Sequence, residues 1–545
     1  MEPYANLQRS LLGLHCNDPK FLTELQEVQT YYDFYEGRPF MIEDDPTIGK
    51  GQLWPVKDRD YKPTREIRNI TRKLMNKQGR FMTSVSPTLV VSSTDVTNRE
   101  KLDVKRGLIE NILAQEKFWN KFSKAFMDAT IGKRVLLTIL TEIPNKKIPD
   151  THLKFRFYTM NEFTYEYDPI DCDKLIRVQI AYQDENTVGK IQQNQRWYKW
   201  VYEMRDDSCW CTYEVVDGTD ATAYIENVIY DESGKEVGKE DIPLKQEWNT
   251  GLDELPCKVI YNDGLTGDLR GRSDIKDLMD MAMDYNKTLS DYRDALRFKM
   301  FEQPVFTDCD SGSIKNIKIA PNAIVDLKSD PSLGNGTGSS VAKFGMLSST
   351  FNFQTTADSY LQQLKNDMYE LMEQPLPDQV ANVPSGKALK MIYYDLISRC
   401  EDKWKAWDEA LEWLVDMIIK LIPLYNLYSD MEGIETITIP SIHHWSHNYP
   451  IPDDEIDDKT IAIQEVQANV RSHKSYIEEF GNSEDADAEF DTIISELETI
   501  NGAANNMMGV DETVDNTGEA SEDEEEEEDG EEKKEDTKDD SEEEE

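Results

Sequence analysis

Between residues 275 and 296 the apolar side chains Ile275, Leu278, Ala282, Tyr285, Leu289, Tyr292 and Leu296 follow one another at steps of three and four. This spacing returns each of them to one side of an α-helix, predicting a helix of roughly 28 residues and about 42 Å. Ser273 is placed to cap its start, with Asp274 beside the positive helix end. The opposite side carries Lys276, Asp280, Asp284, Lys287, Asp291 and Asp294. A helix this long with a single apolar stripe needs a partner to cover it.

The chain supplies candidates. Short strand-like runs, "QPVFTD", "IKNIKIA" and "AIVDLK", lead through "DPSLGNGTGSS" to a second helical pattern from Phe353 to Glu373, with Ala357, Tyr360, Leu364, Met368 and Leu371 on one face. Two helices separated by such an excursion can form antiparallel walls. Pro375 and Pro377 are expected to stop the second, because proline lacks the amide donor and clashes with the preceding turn. Ser385 is expected to cap a third helix with Leu389, Ile392, Leu396, Cys400, Trp407, Leu411, Leu414 and Ile418 on one face. It should reach Ile422 before Pro423 ends it, about 37 residues and roughly 55 Å if unbroken.

Elsewhere the first 130 residues or so read as helices. From Arg134 the texture turns to strands, with "RVLLTILTEI", "LKFRFYTM", "FTYEY", "LIRVQIAYQ", "WYKWVYEM" and "CWCTYEVV" between turn signals, closing near "LPCKVIYNDG". After a strand-like "IETITIPSIHHW", "DKTIAIQEVQANVRSHKSYIEEF" and "SEDADAEFDTIISELETI" read as two helices. The whole reads as α+β, and its length predicts about two to four structural units.

Charge narrows the partners. Of the formal net charge of −47, −19 lies between Asp511 and Glu545, where 22 acids face three lysines, and −28 lies in the rest. An acidic body repels nucleic acid at long range, so a DNA partner would have to pass without being gripped. The tail shows no apolar periodicity and is expected to be disordered. The opening "MEPYANLQRSLLGLH" reads as neither secretion nor transit signal. "WLVDMIIKLIPLY" is too short and too interrupted by Asp416, Lys420 and Pro423 to span a bilayer. Seven scattered cysteines point to a reducing setting.

Candidate chemistry fails on spacing. The "SGK" at Ser385–Lys387 lacks the upstream glycine of a phosphate-binding loop, with Ala381 in its place, and Ala388 stands where a hydroxyl is required. Gly334, Gly336 and Gly338 lack a third glycine at dinucleotide-binding spacing. In "HHWSH" strand alternation points His443 and His444 to opposite faces, away from a shared metal. Cys209 and Cys211 read as two strand residues on one face.

The stretch "LPCKVIYNDGLTGDLRGRSDIKDLMDMAMDYNKTLSDYRDALRFKMFEQPVF" resembles the segment where tailed-bacteriophage portal proteins of the siphophage type enter their stem. The family's features occur here in order as Gly271, Ser273 and Asp274, then Asp284 and Asn286, then Ser290 and Asp291. "YYDFYEG", "AFMDATIGKRVLLTILTE" and "SGKALK" resemble further family motifs, so that similarity covers roughly residues 20 to 500.

This resemblance implies an α/β wing (1–270), a first stem helix (271–301), a small β-rich clip (302–352) and a second stem helix (353–373). A tunnel loop (374–385), a long kinked helix with a wing return strand (386–453), a helical crown (454–500) and the disordered acidic tail (501–545) would follow. The tunnel loop would place Gln374, Pro375, Leu376, Pro377, Asp378, Gln379, Val380, Ala381, Asn382, Val383 and Pro384 around passing DNA. The implied assembly is a homo-oligomeric ring of about twelve subunits. It would sit at the portal vertex of the virion capsid after assembly in the host cytoplasm. It would conduct double-stranded DNA in packaging and ejection, without sequence specificity. Implied partners are the terminase large subunit, major capsid and scaffolding proteins and head-completion or adaptor proteins, with no membrane, no cofactor and no enzymatic activity. The alternatives are a non-portal structural or scaffolding protein of a virion, and a packaging ATPase or nuclease.

Overall fold

The computed structural model describes residues 10–15, 18–37, 66–93, 99–140, 152–171, 173–230, 235–265, 267–268, 270–300, 303–307, 309, 343–347, 354–380, 386–451, 455–481 and 489–497. Two compact units divide the chain, Met1–Pro452 and Asp453–Glu545. Within the described residues no helix is long and apolar enough to cross a membrane.

The first unit opens with α1 (Leu11–Leu14), α2 (Pro19–Glu36), α3 (Ile70–Thr83), α4 (Arg99–Gln115) and α5 (Phe118–Gly132). Local chemistry sets the ends of α2. Asp18 accepts the Lys20 amide, Pro19 occupies the first position where its missing N–H costs nothing, and Gly37 closes the helix at a φ of 77°.

The strands are β1 (Thr88–Ser92), β2 (Arg134–Leu140), β3 (Lys154–Thr159), β4 (Phe163–Tyr167), β5 (Leu175–Gln183), β6 (Trp197–Arg205), β7 (Ser208–Val216), β8 (Tyr224–Tyr230), β9 (Glu236–Pro243), β10 (Lys245–Asn249), β11 (Cys257–Tyr261), β12 (Gln303–Thr307), β13 (Lys343–Leu347) and β14 (Ile442–Ser446). They form an antiparallel five-stranded sheet ordered β10-β7-β6-β5-β4, a three-stranded sheet ordered β11-β2-β3, and the pairs β8–β9, β12–β13 and β1–β14. The predicted strands from Arg134 to Val216 all form. On β7 both Cys209 and Cys211 turn inward and are buried, and burial pushes the Cys209 thiol up to about 11. They serve packing.

Long-range pairing corrects the reading at two places. The N-terminal region contains β1, which pairs with β14 from the other end of the unit, Leu89 opposite Trp445. The predicted strand over "IETITIPSIHHW" is a 3₁₀ turn at Ile434–Thr438 followed by β14. Of the clip runs, "QPVFT" forms β12; "IKNIKIA" and "AIVDLK" lie outside the described residues, and the partner of β12 is β13.

The long helices are α6 (Ile275–Met300), α7 (Gln354–Leu371), a single turn α8 (Pro377–Val380), α9 (Gly386–Ile392) and α10 (Tyr394–Tyr425). The third predicted helix therefore breaks once, at Tyr393, and runs past Pro423 to Tyr425. Proline is tolerated so near the end because only one bond of the last turns is lost, and left-handed Asn426 (φ 50°) closes the helix instead. α10 buries Leu396, Cys400, Trp404, Trp407, Leu411, Leu414 and Ile418 in the larger core. There Phe122 of α5 stacks on Trp404, with ring centroids 5.6 Å apart and planes 13° apart. Each such fully buried side chain contributes about 1.5–3 kcal/mol. A second core joins α2 and α3 to α6 and α7 through Leu74, Met75, Ile275, Leu278, Leu364 and Met368.

The second unit contains α11 (Glu455–Gln467), α12 (His473–Phe480) and a helix at 489–497. The single helix expected over 458–480 is split because Asn469 turns left-handed (φ 56°) and Ser472 caps a new start through the Ser475 amide. The acidic tail lies outside the described residues.

Candidate functional site

α6 and α7 run antiparallel: Tyr360 donates to Asp284 at 2.6 Å, while Tyr292, two turns further along α6, meets Asp358, earlier on α7. The predicted stripe on α6 is buried at Ile275, Leu278, Ala282 and Tyr285, then emerges until Leu296 is exposed. On α7 the buried residues are Leu361, Leu364, Met368 and Tyr369, so Tyr360 and Leu371, expected to face inward, lie exposed at its edge. The partner helix covers only part of a turn, and periodicity alone leaves that rotation open.

Of the predicted polar face, Lys276, Asp280, Asp284, Lys287 and Asp291 are exposed. Asp294 is the correction: it is buried, at 5% exposure. Five aspartates and five basic residues occupy α6, so the wall is mixed in charge rather than acidic.

The start of α6 is fixed by a buried polar cluster. Gly271 sits at a φ of 72°, where an added Cβ would collide with the Lys133 carbonyl. Ser273 donates to the Thr130 carbonyl at 3.4 Å, and the Asp274 amide bonds the same carbonyl at 3.0 Å. The Asp274 carboxylate then accepts from Lys403 (3.0 Å), Asn262 (2.8 Å) and Gln78 (2.9 Å), with Arg399 at 3.4 Å. Burial alone would raise its pKa; the charges of Lys403 and Arg399 and the bonds from Asn262 and Gln78 outweigh it and hold the carboxyl down to about 2. α3, α6, α10 and the turn after β11 are tied together at one carboxylate.

Further along α6, Asn286 and Ser290 hold an extended strand of chain. Asn286 accepts the Arg68 amide at 2.7 Å, and Ser290 accepts the Glu66 amide at 3.0 Å. Both side chains also bond back to their own helix, at Ala282 and Asn286 carbonyls. The spacing of four puts both on one face beside the segment they clamp.

The proline segment begins differently from the expectation. α7 is ended by left-handed Glu373 (φ 53°): the Glu373 amide bonds Glu370 and the Gln374 amide bonds Tyr369, a Schellman arrangement, before either proline acts. Gln374, expected in the loop, is buried, and its side-chain amide donates to the Leu74 carbonyl at 2.8 Å. Lys77 donates to the Pro375 carbonyl at 3.2 Å. Leu376 packs partly on the second core. Pro377, Asp378, Gln379 and Val380 form α8, the first three exposed; Ala381, Asn382, Val383 and Pro384 lie outside the described residues. The base of the segment, from Gln374 to Leu376, is thus fastened to α3 and the second core.

Sequence reading missed Gln78, Asn262, Arg399 and Lys403. A signal existed: Arg399 and Lys403 interrupt the apolar face of α10, and charges there need a buried partner. The histidines separate as alternation requires, with His443 and His447 against α10 and His444 exposed. His447 meets Asp408 at 3.0 Å and stacks on Trp404. Among the described residues no group of His, Cys, Asp or Glu has a metal-binding arrangement.

A long antiparallel helix pair, parted in sequence by a small β-hairpin, is rooted in an α+β body. The sequence pattern of the family "Phage portal protein, SPP1 Gp6-like" matches residues 16–503, and the chain belongs to that family. Among curated proteins no match is found. Membership makes it a bacteriophage virion protein of the genome-packaging apparatus, in a family that is structural rather than enzymatic.

Proposed function

We propose that copies of this chain close into a ring at one capsid vertex, with α6 and α7 as the stem around an axial channel for double-stranded DNA. The observation that carries this is the order α6, β12–β13, α7, proline segment, α10, with the segment's base fastened by Gln374 and Lys77. A fastened base, followed by a run whose freedom Pro377 and Pro384 limit, suits a finger that leans on the duplex. Asp378 is its charged residue, so contact with DNA is by shape and not by phosphate pairing. The exposed face of Lys276, Asp280, Asp284, Lys287 and Asp291 lines the bore with mixed charge, which neither grips nor strongly repels the backbone. The β12–β13 hairpin marks the clip, where the terminase large subunit docks during filling and adaptor proteins afterwards. Hydrolysis belongs to the terminase.

Negative-stain images and native mass measurement of the full chain test this. Axially perforated rings are expected; particles without a central hole, or a chain that stays monomeric, refute it. Purified protein with DNA should hydrolyse no ATP.

A further inference from the structure

α3 is at odds with the rest of the molecule in charge. In a chain with 107 acids and 60 basic residues, Ile70–Thr83 carries Arg72, Lys73, Lys77 and Arg80 and no acid. Lys73, Lys77 and Arg80 stand at steps of four and three, one stripe about 10 Å long. Lys73 and Arg80 are exposed, and among the described residues neither meets a carboxylate at ion-pair distance. Lys77, half-buried, is spent on the Pro375 carbonyl. At its Lys73 end the stripe borders a groove of about 560 Å³ that Arg68, Lys365 and Asp358 also line. Burial, with a smaller contribution from the like charge of neighbouring Lys73, holds the Lys77 ammonium below its usual range.

The complementary surface is on the same chain. The outer face of α10 exposes Asp395, Glu401, Asp402, Glu409, Glu412 and Asp416 against Lys405 and Lys420. Asp395, Asp402, Glu409 and Asp416 recur every seven residues, the separation of Lys73 from Arg80. Lys73 also lies over the Tyr369 ring, 5.8 Å from its centroid, and keeps its charge exposed; a helix laid along α3 therefore sets two successive acids of this ridge against Lys73 and Arg80 in register. Exposed internal pairs, Lys405 with Asp402 and Lys258 with Glu409, leave the face net acidic. α6 is the poorer match, being balanced in charge. Among the described residues α3 meets α10 from the side of Arg399, which bonds Gln78 at 3.2 Å, and not through these two faces.

We infer that the outer face of α3 is the docking surface for a second copy of this chain, which lays the acidic outer face of its α10 along the Lys73–Arg80 stripe. The inference rests on the ring proposed above and states where neighbours meet. Such a contact joins two different faces, as a closed ring requires.

The test uses the full chain, with light scattering and negative stain at about 0.15 M and about 1 M salt. Lys73→Glu with Arg80→Glu, and separately Asp402→Lys with Glu409→Lys, should each raise the protein concentration needed for rings roughly tenfold or more. The fourfold variant carrying both reversals should recover. Circular dichroism checks that each variant is folded; if the Glu pair is not, Lys73→Gln with Arg80→Gln should give a smaller loss and a weaker salt dependence. Reversed variants that assemble like the parent, or a fourfold variant without recovery, overturn the docking. So does a Lys73→Glu, Arg80→Glu ring that forms normally but retains less double-stranded DNA, which would assign the stripe to nucleic acid. A parent chain that forms no ring overturns the ring reading itself, whereas rings indifferent to these charges overturn only this contact.

Discussion

Replacing Asp274 by Asn should destabilise the junction of α3, α6 and α10 more than any single exposed charge could. The carboxylate is buried and lies 3.0 Å from Lys403, itself only 4% exposed. Removing one partner of a buried pair costs about 3–5 kcal/mol, because the other charge is left in a poorly polarisable interior. Lys403 would keep the Asn262 side-chain oxygen at 2.8 Å and Asp263 at 3.3 Å, which places the cost at the lower end, about 3 kcal/mol. The pH dependence follows from the same carboxyl. Held down to about 2 in the folded protein, it contributes its full stabilisation above the unfolded value near 4 and loses it as pH falls toward 2. That contribution is roughly 2 kcal/mol, and the Asn variant should lack it. Urea titration followed by tryptophan fluorescence is suitable, since Trp404 and Trp407 follow Lys403 within about one turn of α10. Combining Asp274→Leu with Lys403→Met should recover most of the loss. A loss under about 1 kcal/mol for the Asn variant, or a double variant no better than the single one, would show that the cluster is not an interdependent unit.

Gly271→Ala should cost about 3 kcal/mol or more, since both the left-handed φ and the Lys133 carbonyl oppose a side chain; a midpoint near that of the parent would refute the strain. Asn286→Ala with Ser290→Ala should free the segment at Glu66–Arg68, giving faster amide exchange at those residues and a loss of roughly 2 kcal/mol. Burial pushes the Asp128 carboxyl up to about 7, against the bond from Tyr32. Its folded form holds a proton that the unfolded chain releases near 4, so this group's support weakens as pH rises through 7. Asp128→Asn should therefore gain stability over the parent at pH 8, with the gap narrowing below pH 7 and closing at about pH 4 in thermal melts.

The sequence by itself determined which segments are helix and strand wherever burial is one-sided and local. The stripe from Ile275 to Tyr285, the face from Leu396 to Ile422 and the alternating strands between Arg134 and Val216 are legible because a repeat of 3.6 or two residues is imposed by the backbone. The order of those segments, with Gly271, Ser273, Asp274, Asn286 and Ser290 in place, also carried the family resemblance. The tertiary structure decided the rest. It alone pairs β1 with β14, turns α7 so that Tyr360 faces out, buries Asp294 and fastens Gln374 under α3. It alone brings Gln78, Asn262, Arg399 and Lys403 to one carboxylate. These are relations between residues far apart in sequence, and the energy that selects them comes from desolvation and close contact, which exist only once the elements have packed.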